Sequence, residues 1–561
     1  MQREVTAPGE GIEARIGALA GRIEVLGGWR RAACGLGAGA VSVLAMPPFF
    51  LWPVLIGTLP VLVWLIEGAA TKPERRGGAG LDLDRRRLIA AGLSGWCFGY
   101  AFHVLGLYWL REAFLVTGGG LAMLWPLGVL GLPAFLAVFH GLAAAVAAAL
   151  PCNRLGRVAA LAVGLGLSEW LRGHLFTGFP WNVLGMALTD PPALMQWSGV
   201  VGIYGLTVVT VAVLATPLAM LSPGPAHSGQ PPWLLRSTAL AVLVVPLSVM
   251  LGYGTLRLSE PPPPAVEGAR LRLVQPSIPQ REKWMAEKQP EFVELQLRLS
   301  LHDASGRRDD LAGITHVIWP EAAMPFLPLQ RPQVLDAIGA ALPDGVHLLA
   351  GVLRMERREG EEARVYNSLV VLADDGRPIA VYDKSHLVPF GEYLPFQGLL
   401  EAIGLSALTR QRGGFAVGPE PRPLLAVPGL PGVGALICYE AVFPGISSKS
   451  RDRPHVLVNA TNDGWFGNST GPRQHLHQSR LRSVEEGLPL LRVANNGISA
   501  VYDAYGRELA RLDMNVAGVI DTHLPGRTTP PLYARLGDLM LVLLCAMVLL
   551  FWYMYGRSHK P

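Results

Sequence analysis

The chain has 561 residues, of which 50% are hydrophobic and only 16% charged, and its mean hydropathy is +0.33. Soluble domains carry about 25% charged residues, so this composition excludes an ordinary soluble protein and assigns much of the chain to lipid. The net charge of +5 does not argue for a nucleic-acid partner, because the basic residues gather in short loops between apolar runs. That is the mark of membrane topology, not of a phosphate-binding face.

Residues 1–31 are polar, hold Arg15, Arg22, Arg30 and Arg31, and fit no cleaved signal peptide. They read as a cytoplasmic N-terminal segment. Apolar runs follow at 33–47 and 51–68, separated by Pro47-Pro48. The stretch 71–87 holds Lys72, Arg75, Arg76, Arg85, Arg86 and Arg87, the strongest positive-inside signal in the chain. Further spans are predicted at 88–110, 119–150, 157–172, 195–222 and 234–254, and a last one at 534–555. Pro126 and Pro133 predict a kink or tilt in the longest of them. With 71–87 in the cytoplasm, Arg154, Arg157 and Arg236 also fall inside, and 111–119 and 173–194 fall outside. The expectation is a polytopic α-helical membrane domain of about eight spans, seven of them within 32–257, with both termini cytoplasmic.

Between the last two spans the composition changes. A Pro-rich linker at 258–268 leads into residues 269–525, where short apolar runs at 271–275, 315–319, 347–353, 368–373, 378–382, 433–438 and 455–459 predict strands. Helical patterns lie at 284–303, 331–341 and 473–487. Alternation of strands and helices predicts an α/β domain, placed outside the cytoplasm by the topology.

Three polar residues each close a predicted strand in this domain: Glu321 after Val317-Ile-Trp-Pro320, Lys384 after Ile379-Ala-Val-Tyr-Asp383, and Cys438 after Ala435-Leu-Ile437. Functional groups collect at the carboxyl ends of strands in such sheets. Cys438 is the only cysteine between Asn153 and Leu544, and a lone thiol there is either an inert core residue or a reactive one. A thiol becomes a nucleophile once a neighbouring carboxylate removes its proton. A nearby ammonium favours the thiolate and stabilises a tetrahedral oxyanion, together with the backbone N–H of Tyr439. His386, His475 and His477 do not form a metal-ligand pattern, since His475 and His477 are two apart on a predicted helix and face different directions. No metal or cofactor is expected.

The stretches Val317-Ile-Trp-Pro-Glu321, Asp383-Lys-Ser-His-Leu-Val-Pro-Phe-Gly-Glu-Tyr-Leu-Pro395 and Ile437-Cys-Tyr-Glu440 resemble, in that order, the three signatures of the nitrilase superfamily. The resemblance implies a four-layer α-β-β-α sandwich and a Glu-Lys-Cys triad for residues 269–525. Further stretches match the apolipoprotein N-acyltransferase family of Gram-negative inner membranes, namely Leu171 to Trp181, Leu273 to Gln280 with Trp284, Asn462 to Gly467, and Arg492 to Gly497. That family implies a ping-pong acyl transfer, the last step of bacterial lipoprotein maturation. Cys438 would take a fatty acyl chain from a phospholipid as a thioester and pass it to the α-amino group of the diacylglyceryl cysteine of an apolipoprotein. Glu321 would be the base and Lys384 the oxyanion stabiliser, with Glu392 supporting both and Tyr439 and Glu440 matching positions beside the nucleophile. The location implied is the inner membrane, with the catalytic domain in the periplasm.

Residues 393–409, including Phe396, Leu399 and Leu400, are more apolar than a solvent-facing loop should be. They read either as an arm dipping into the bilayer interface, with Trp284 as a second lipid contact, or as a short core helix. Two other functions compete. A membrane-tethered nitrilase-type amidohydrolase would pass the same thioester to water. A transporter with an external domain would need charged residues facing a central path, and only Glu169 and Arg172, near a span end, are candidates.

Overall fold

The computed structural model describes residues 11–69, 83–117, 122–222, 231–360, 363–393, 414–446, 450 and 452–555. The N-terminal part is helical: α1 (Ile12–Glu24), α2 (Gly28–Ser42), α3 (Leu55–Gly68), α4 (Arg85–Gly106), α5 (Leu110–Thr117), α6 (Trp125–Ala149), α7 (Arg154–His174), α8 (Ser198–Leu221) and α9 (Pro232–Ser259). Among the described residues, four helices are long and apolar enough to cross a membrane: α4, α6, α8 and α9. The segments expected at 51–68 and 534–555 form shorter apolar helices.

Two boundaries differ from the sequence reading. The run expected over 88–110 ends as a helix at Gly106, and residues from Leu110 form a separate short helix. The long run expected from 119 becomes helical only at Trp125, with Pro126 in its first turn, where a missing N–H costs nothing. The contact between α4 and α6 is built on small residues. A Cβ at Gly95 would lie 2.5 Å from the Ala144 Cβ, and one at Gly99 would lie 2.7 Å from the His140 ring. Close backbone approach of this kind is how helices associate where lipid removes the hydrophobic drive. At the outer side of the helical part, α9 buries only Ala239, Met250 and Gly254.

The second part holds two sheets. In the first, the order is β11-β1-β2-β3-β4-β5, built from β1 (Arg270–Gln275), β2 (His316–Ile318), β3 (His347–Glu356), β4 (Arg364–Leu372), β5 (Pro378–Asp383) and β11 (Gly518–His523). In the second it is β10-β9-β8-β7-β6, built from β6 (Val433–Ile437), β7 (Val456–Thr461), β8 (Leu490–Ala494), β9 (Ser499–Tyr502) and β10 (Glu508–Leu512). In each sheet three consecutive strands are parallel, β1-β2-β3 and β6-β7-β8.

Alternation along the strands decides the layers. Leu271, Leu273, Ile318 and Leu349 of the first sheet pack against Val433, Ala435, Val458 and Leu491 of the second. The opposite face of the first sheet, with Val274, Trp319 and Leu348, carries α10 (Gln289–Ser300) and α11 (Pro332–Ala341). The opposite face of the second, with Leu436, Leu457 and Leu490, carries α12 (Gly471–Glu486). The result is a four-layer α-β-β-α sandwich.

Seven of these eleven strands match the runs expected from sequence, and β8 to β11 were not expected. The helix expected from 284 starts only at Gln289, as α10, after a turn. Helix α12 is the layer that joins the two parts. Gln474 on it accepts from the indole N–H groups of Trp109 (3.0 Å) and Trp181 (2.8 Å) and donates to the Pro47 and Gly106 carbonyls. Leu481 and Val484 join the core of the helical part.

Candidate active site

The two sheets face each other so that the ends of β2, β5 and β6 converge. Glu321, Lys384 and Cys438, each just beyond its strand, are all buried there. Cys438 has φ +49°, a left-handed conformation that a residue with a side chain holds only when its surroundings impose it. It opens the tight turn Cys438–Val442. Ala322 is likewise left-handed, at φ +44°, so the chain turns sharply after Glu321 as well. Gly351 on β3 makes room for that turn, since a Cβ there would sit 2.3 Å from the Pro320 carbonyl oxygen.

The carboxylates and cations are held as one network. Lys384 Nζ donates to Glu392 Oε1 at 2.9 Å and lies 3.9 Å from Glu321 Oε1. The amide of Asn367 donates to both carboxylates, at 2.8 Å to Glu321 and 3.2 Å to Glu392. The second oxygen of Glu392 accepts from the Val388 N–H at 2.8 Å. Lys283, on the loop after β1, donates to the Glu321 carbonyl at 3.0 Å.

Burial and neighbours set the protonation. Burial pushes the Cys438 thiol up, and the Glu321 carboxylate adds to it, so the resting group is the thiol. Burial also raises Glu321, against the opposing pull of Lys384. Burial works against the Lys384 ammonium, but the charges of Glu392 and Glu321 outweigh it and hold Lys384 protonated. Lys283, with less compensation, is pulled by burial down to about 8. A base beside a thiol, with a fixed cation opposite, can carry out nucleophilic acyl chemistry.

Glu440 is a hub. Its carboxylate accepts from the backbone N–H groups of Ile437 (2.7 Å), Ser385 (3.0 Å) and His386 (3.0 Å), and from the Ser385 and Tyr382 hydroxyls. The guanidinium of Arg422 lies 3.7 Å away. Glu440 therefore ties the segment after Lys384 to the strand before Cys438.

Tyr439 points to the helical part, where its hydroxyl donates to the Gly178 carbonyl at 3.0 Å. That carbonyl belongs to a loop in which Phe176, Thr177 and Gly178 all have positive φ. Arg172 of α7 holds the loop by donating to the carbonyls of Phe179 (2.6 Å) and Trp181 (2.9 Å). A Cβ at Gly178 would come within 2.1 Å of the Gly173 carbonyl oxygen, so only glycine fits.

Of the residues singled out from sequence, the structure brings together Glu321, Lys384, Cys438, Glu392, Tyr439 and Glu440. Trp284 is well exposed, at 45%. Phe396, Leu399 and Leu400, with the rest of the expected arm from 394, lie outside the described residues. Lys283, Asn367, Arg422 and the Asp463–His475–Arg492 cluster beside Cys438 also belong to the site, and none of them is among the candidates the sequence offers. Lys283 directly precedes Trp284, and Asp463 and Arg492 lie in stretches already singled out, so position alone offered a hint.

Residues 272–530 match the carbon-nitrogen hydrolase family model, and residues 38–216 match that of the apolipoprotein N-acyltransferase N-terminal domain. The apolipoprotein N-acyltransferase of Rhodopseudomonas palustris is 43% identical over 534 residues, covering 95% of this chain and 96% of that one. That of Brucella melitensis is 41% identical over 554 residues, covering 97% and 100%. Among solved structures, a mutant amidase of the nitrilase superfamily from Nesterenkonia AN1 is similar over 47% of this chain and 93% of its own, with 18% identity and a TM-score of 0.32.

Proposed function

The chain belongs to the apolipoprotein N-acyltransferase family, and from that premise we propose that it moves a fatty acyl chain from a membrane phospholipid to the α-amino group of the diacylglyceryl cysteine of an apolipoprotein. Glu321 takes the proton from the Cys438 thiol as Sγ attacks the ester carbonyl carbon. The carbonyl electron pair moves onto oxygen, and Lys384 and the Tyr439 N–H stabilise that charge. Collapse breaks the ester C–O bond, and the lysophospholipid leaves as an alcohol with the proton carried by Glu321. The neutral amine of the acceptor then attacks the thioester carbonyl carbon, its surplus proton passes to Glu321, the C–S bond breaks, and Glu321 returns the proton to Sγ to restore the Cys438 thiol.

Glu392 and Asn367 keep Lys384 and Glu321 in place. Trp284 and the apolar residues Phe396, Leu399 and Leu400 would contact the acyl donor. The topology that suits this chemistry is the one read from the basic loops: about eight spans from 32 onward, a catalytic domain over 269–525 in the periplasm of the inner membrane, a last span at 534–555, and both termini cytoplasmic.

One observation supports acyl transfer at the membrane over hydrolysis of a small amide. The residue next to the nucleophile, Tyr439, is hydrogen-bonded at 3.0 Å to Gly178 of the helical part, so the site includes that part. A soluble amide hydrolase has no use for such a tie. Intact-mass analysis of detergent-purified protein incubated with phospholipid tests the reading. One acyl group should be added, be released by hydroxylamine, and be absent from Cys438→Ala. An adduct that survives in Cys438→Ala would remove Cys438 as the acyl carrier.

A further inference from the structure

Beside Cys438 lies a second polar cluster that the reaction as written does not use, although the Asp463 charge and the Thr461 hydroxyl both bear on the thiol. His475 of α12 places Nε2 at 3.1 Å from the backbone carbonyl oxygen of Cys438 and Nδ1 at 2.9 Å from Asp463 Oδ1. Asp463 is held in turn by Arg492, at 2.7 Å, and by the Thr461 hydroxyl, at 3.1 Å. Asp463, His475, Arg492 and Thr461 are all buried, and the His475 ring packs against Trp181 and Phe466. The β7–β8 register sets Arg492 opposite Asn459, and Arg492 donates to that side chain as well. Asn459 in turn reaches the Cys438 carbonyl at 3.5 Å, a longer contact than that of His475.

We propose that His475, oriented by Asp463, is a positioning residue for the oxyanion hole: by gripping the Cys438 carbonyl it aims the Tyr439 N–H at the reacting oxygen. The inference rests on the reading of Cys438 as the acyl-accepting nucleophile. The carbonyl of Cys438 and the N–H of Tyr439 are two ends of one peptide unit. A trans peptide is planar, with its C=O and N–H pointing in opposite directions, so fixing one end fixes the other. Tyr439 stands in the first turn of the Cys438–Val442 segment, where a backbone N–H has no carbonyl of its own helix to bond. Among the described residues no acceptor takes that N–H, which leaves it for a ligand.

The grip has something to resist. Cys438 is held at φ +49°, a conformation a non-glycine residue abandons unless neighbours enforce it. A peptide carbonyl only accepts, so the contact needs the hydrogen on Nε2. Burial and the Arg492 charge favour the neutral ring, in which Nδ1 is then an acceptor, and Arg492 Nη2 faces it from 3.2 Å. Donation into the carbonyl also polarises the peptide and strengthens its N–H as a donor. Asp463 orients the ring through Arg492, which it holds at 2.7 Å and which donates to Nδ1.

A residue that only fills space behind the sheet predicts something different, and two reactions of the same thiol separate the alternatives. Acylation by a phospholipid passes through an oxyanion. Alkylation by iodoacetamide displaces iodide in one step and forms none. Both are measured on the full-length protein in detergent, with His475→Asn, whose amide is too short to reach the Cys438 carbonyl, and with His475→Gln, whose longer amide can donate to it in place of Nε2–H. The expected result is a fall in the rate of thioester formation approaching the roughly 10²–10³-fold seen when one oxyanion donor is removed. In His475→Asn the apparent KM for phospholipid and the iodoacetamide rate should stay near those of the wild type, and His475→Gln should recover much of the lost acylation rate. Equal falls in both reactions, or no fall in either, would overturn the proposal. A wild-type protein that takes no acyl group on Cys438 would instead remove the parent reading, which this comparison keeps separate.

Discussion

Substituting Glu440 with glutamine keeps the size and shape of the side chain and should still damage both stability and catalysis. Six groups face its two oxygens, namely three backbone N–H groups, the Ser385 and Tyr382 hydroxyls, and the Arg422 guanidinium. Ionised glutamate is acceptor-only, so it suits this ring. Glutamine must put an NH2 where one oxygen was. On the Oε1 side it would confront the N–H groups of Ser385 and His386, both at 3.0 Å. On the Oε2 side it would confront the Ile437 N–H at 2.7 Å. The second choice is cheaper, and it leaves one buried N–H unpaired at about 1–3 kcal/mol. Buried Arg422 also loses its countercharge, where removing one partner of a buried pair costs about 3–5 kcal/mol. Its 3.7 Å separation from Glu440 puts it at the lower end of that range. A total near 4 kcal/mol corresponds to a fall of roughly 8–16 °C in melting temperature for a domain of this size. Tryptophan fluorescence during heating in detergent measures it. Acylation should fall too, because the ring joins the segment after Lys384 to the strand before Cys438. A Glu440→Gln protein that melts within about 2 °C of the wild type and acylates normally would refute the hub.

Glu321 should show its role in the pH dependence of thioester formation. Burial raises its pKa, and only the ionised carboxylate can take the thiol proton. The rate should therefore fall as pH drops through a value above the ordinary glutamate figure of about 4.3. In Glu321→Gln the rate should be low and that acid limb absent; the same limb persisting in the variant would assign it to another group. Gly351→Ala adds one methyl group and no charge. The new Cβ would meet the Pro320 carbonyl oxygen at 2.3 Å and the Glu321 Cα at 2.7 Å, so the base must move. A shift of about 1 Å costs on the order of 10²-fold in rate, and unchanged single-turnover acylation would show that the turn accommodates the methyl group.

What could be read from the sequence, and what could not, follows from which interactions leave a pattern along the chain. Strands β2 and β6 stand out because an unbroken apolar run stops at a polar residue. Strand β8 does not, because Arg492 sits in the middle of Leu490-Leu-Arg-Val-Ala494 and breaks the run. That arginine is fully buried and paired with Asp463, a residue on a different element. Strand β10 has its Glu and Arg on a largely exposed edge, and β9 is only four residues long.

Helix α12 makes the same point more strongly. Read alone, Gly471-Pro-Arg-Gln-His-Leu-His-Gln-Ser-Arg-Leu-Arg is polar on every face, the composition of a solvated helix. It is almost wholly buried because both of its sides are covered, one by the second sheet and the other by the helical part. Its polar groups are satisfied from far along the chain: Gln474 by Trp109 and Trp181, and His477 by Thr189 at 2.7 Å. Hydrophobic burial repeats with the period of a helix or strand, whereas a hydrogen bond between distant residues has no period. Glu321, Lys384 and Cys438, the proposed triad, are legible because each closes a strand. Lys283, Asn367 and the Asp463–His475 pair are not, because each is defined by a partner rather than by its place in a pattern. The residues that aim a reacting group are therefore the ones for which the three-dimensional contacts, and not the order of residues, carry the information.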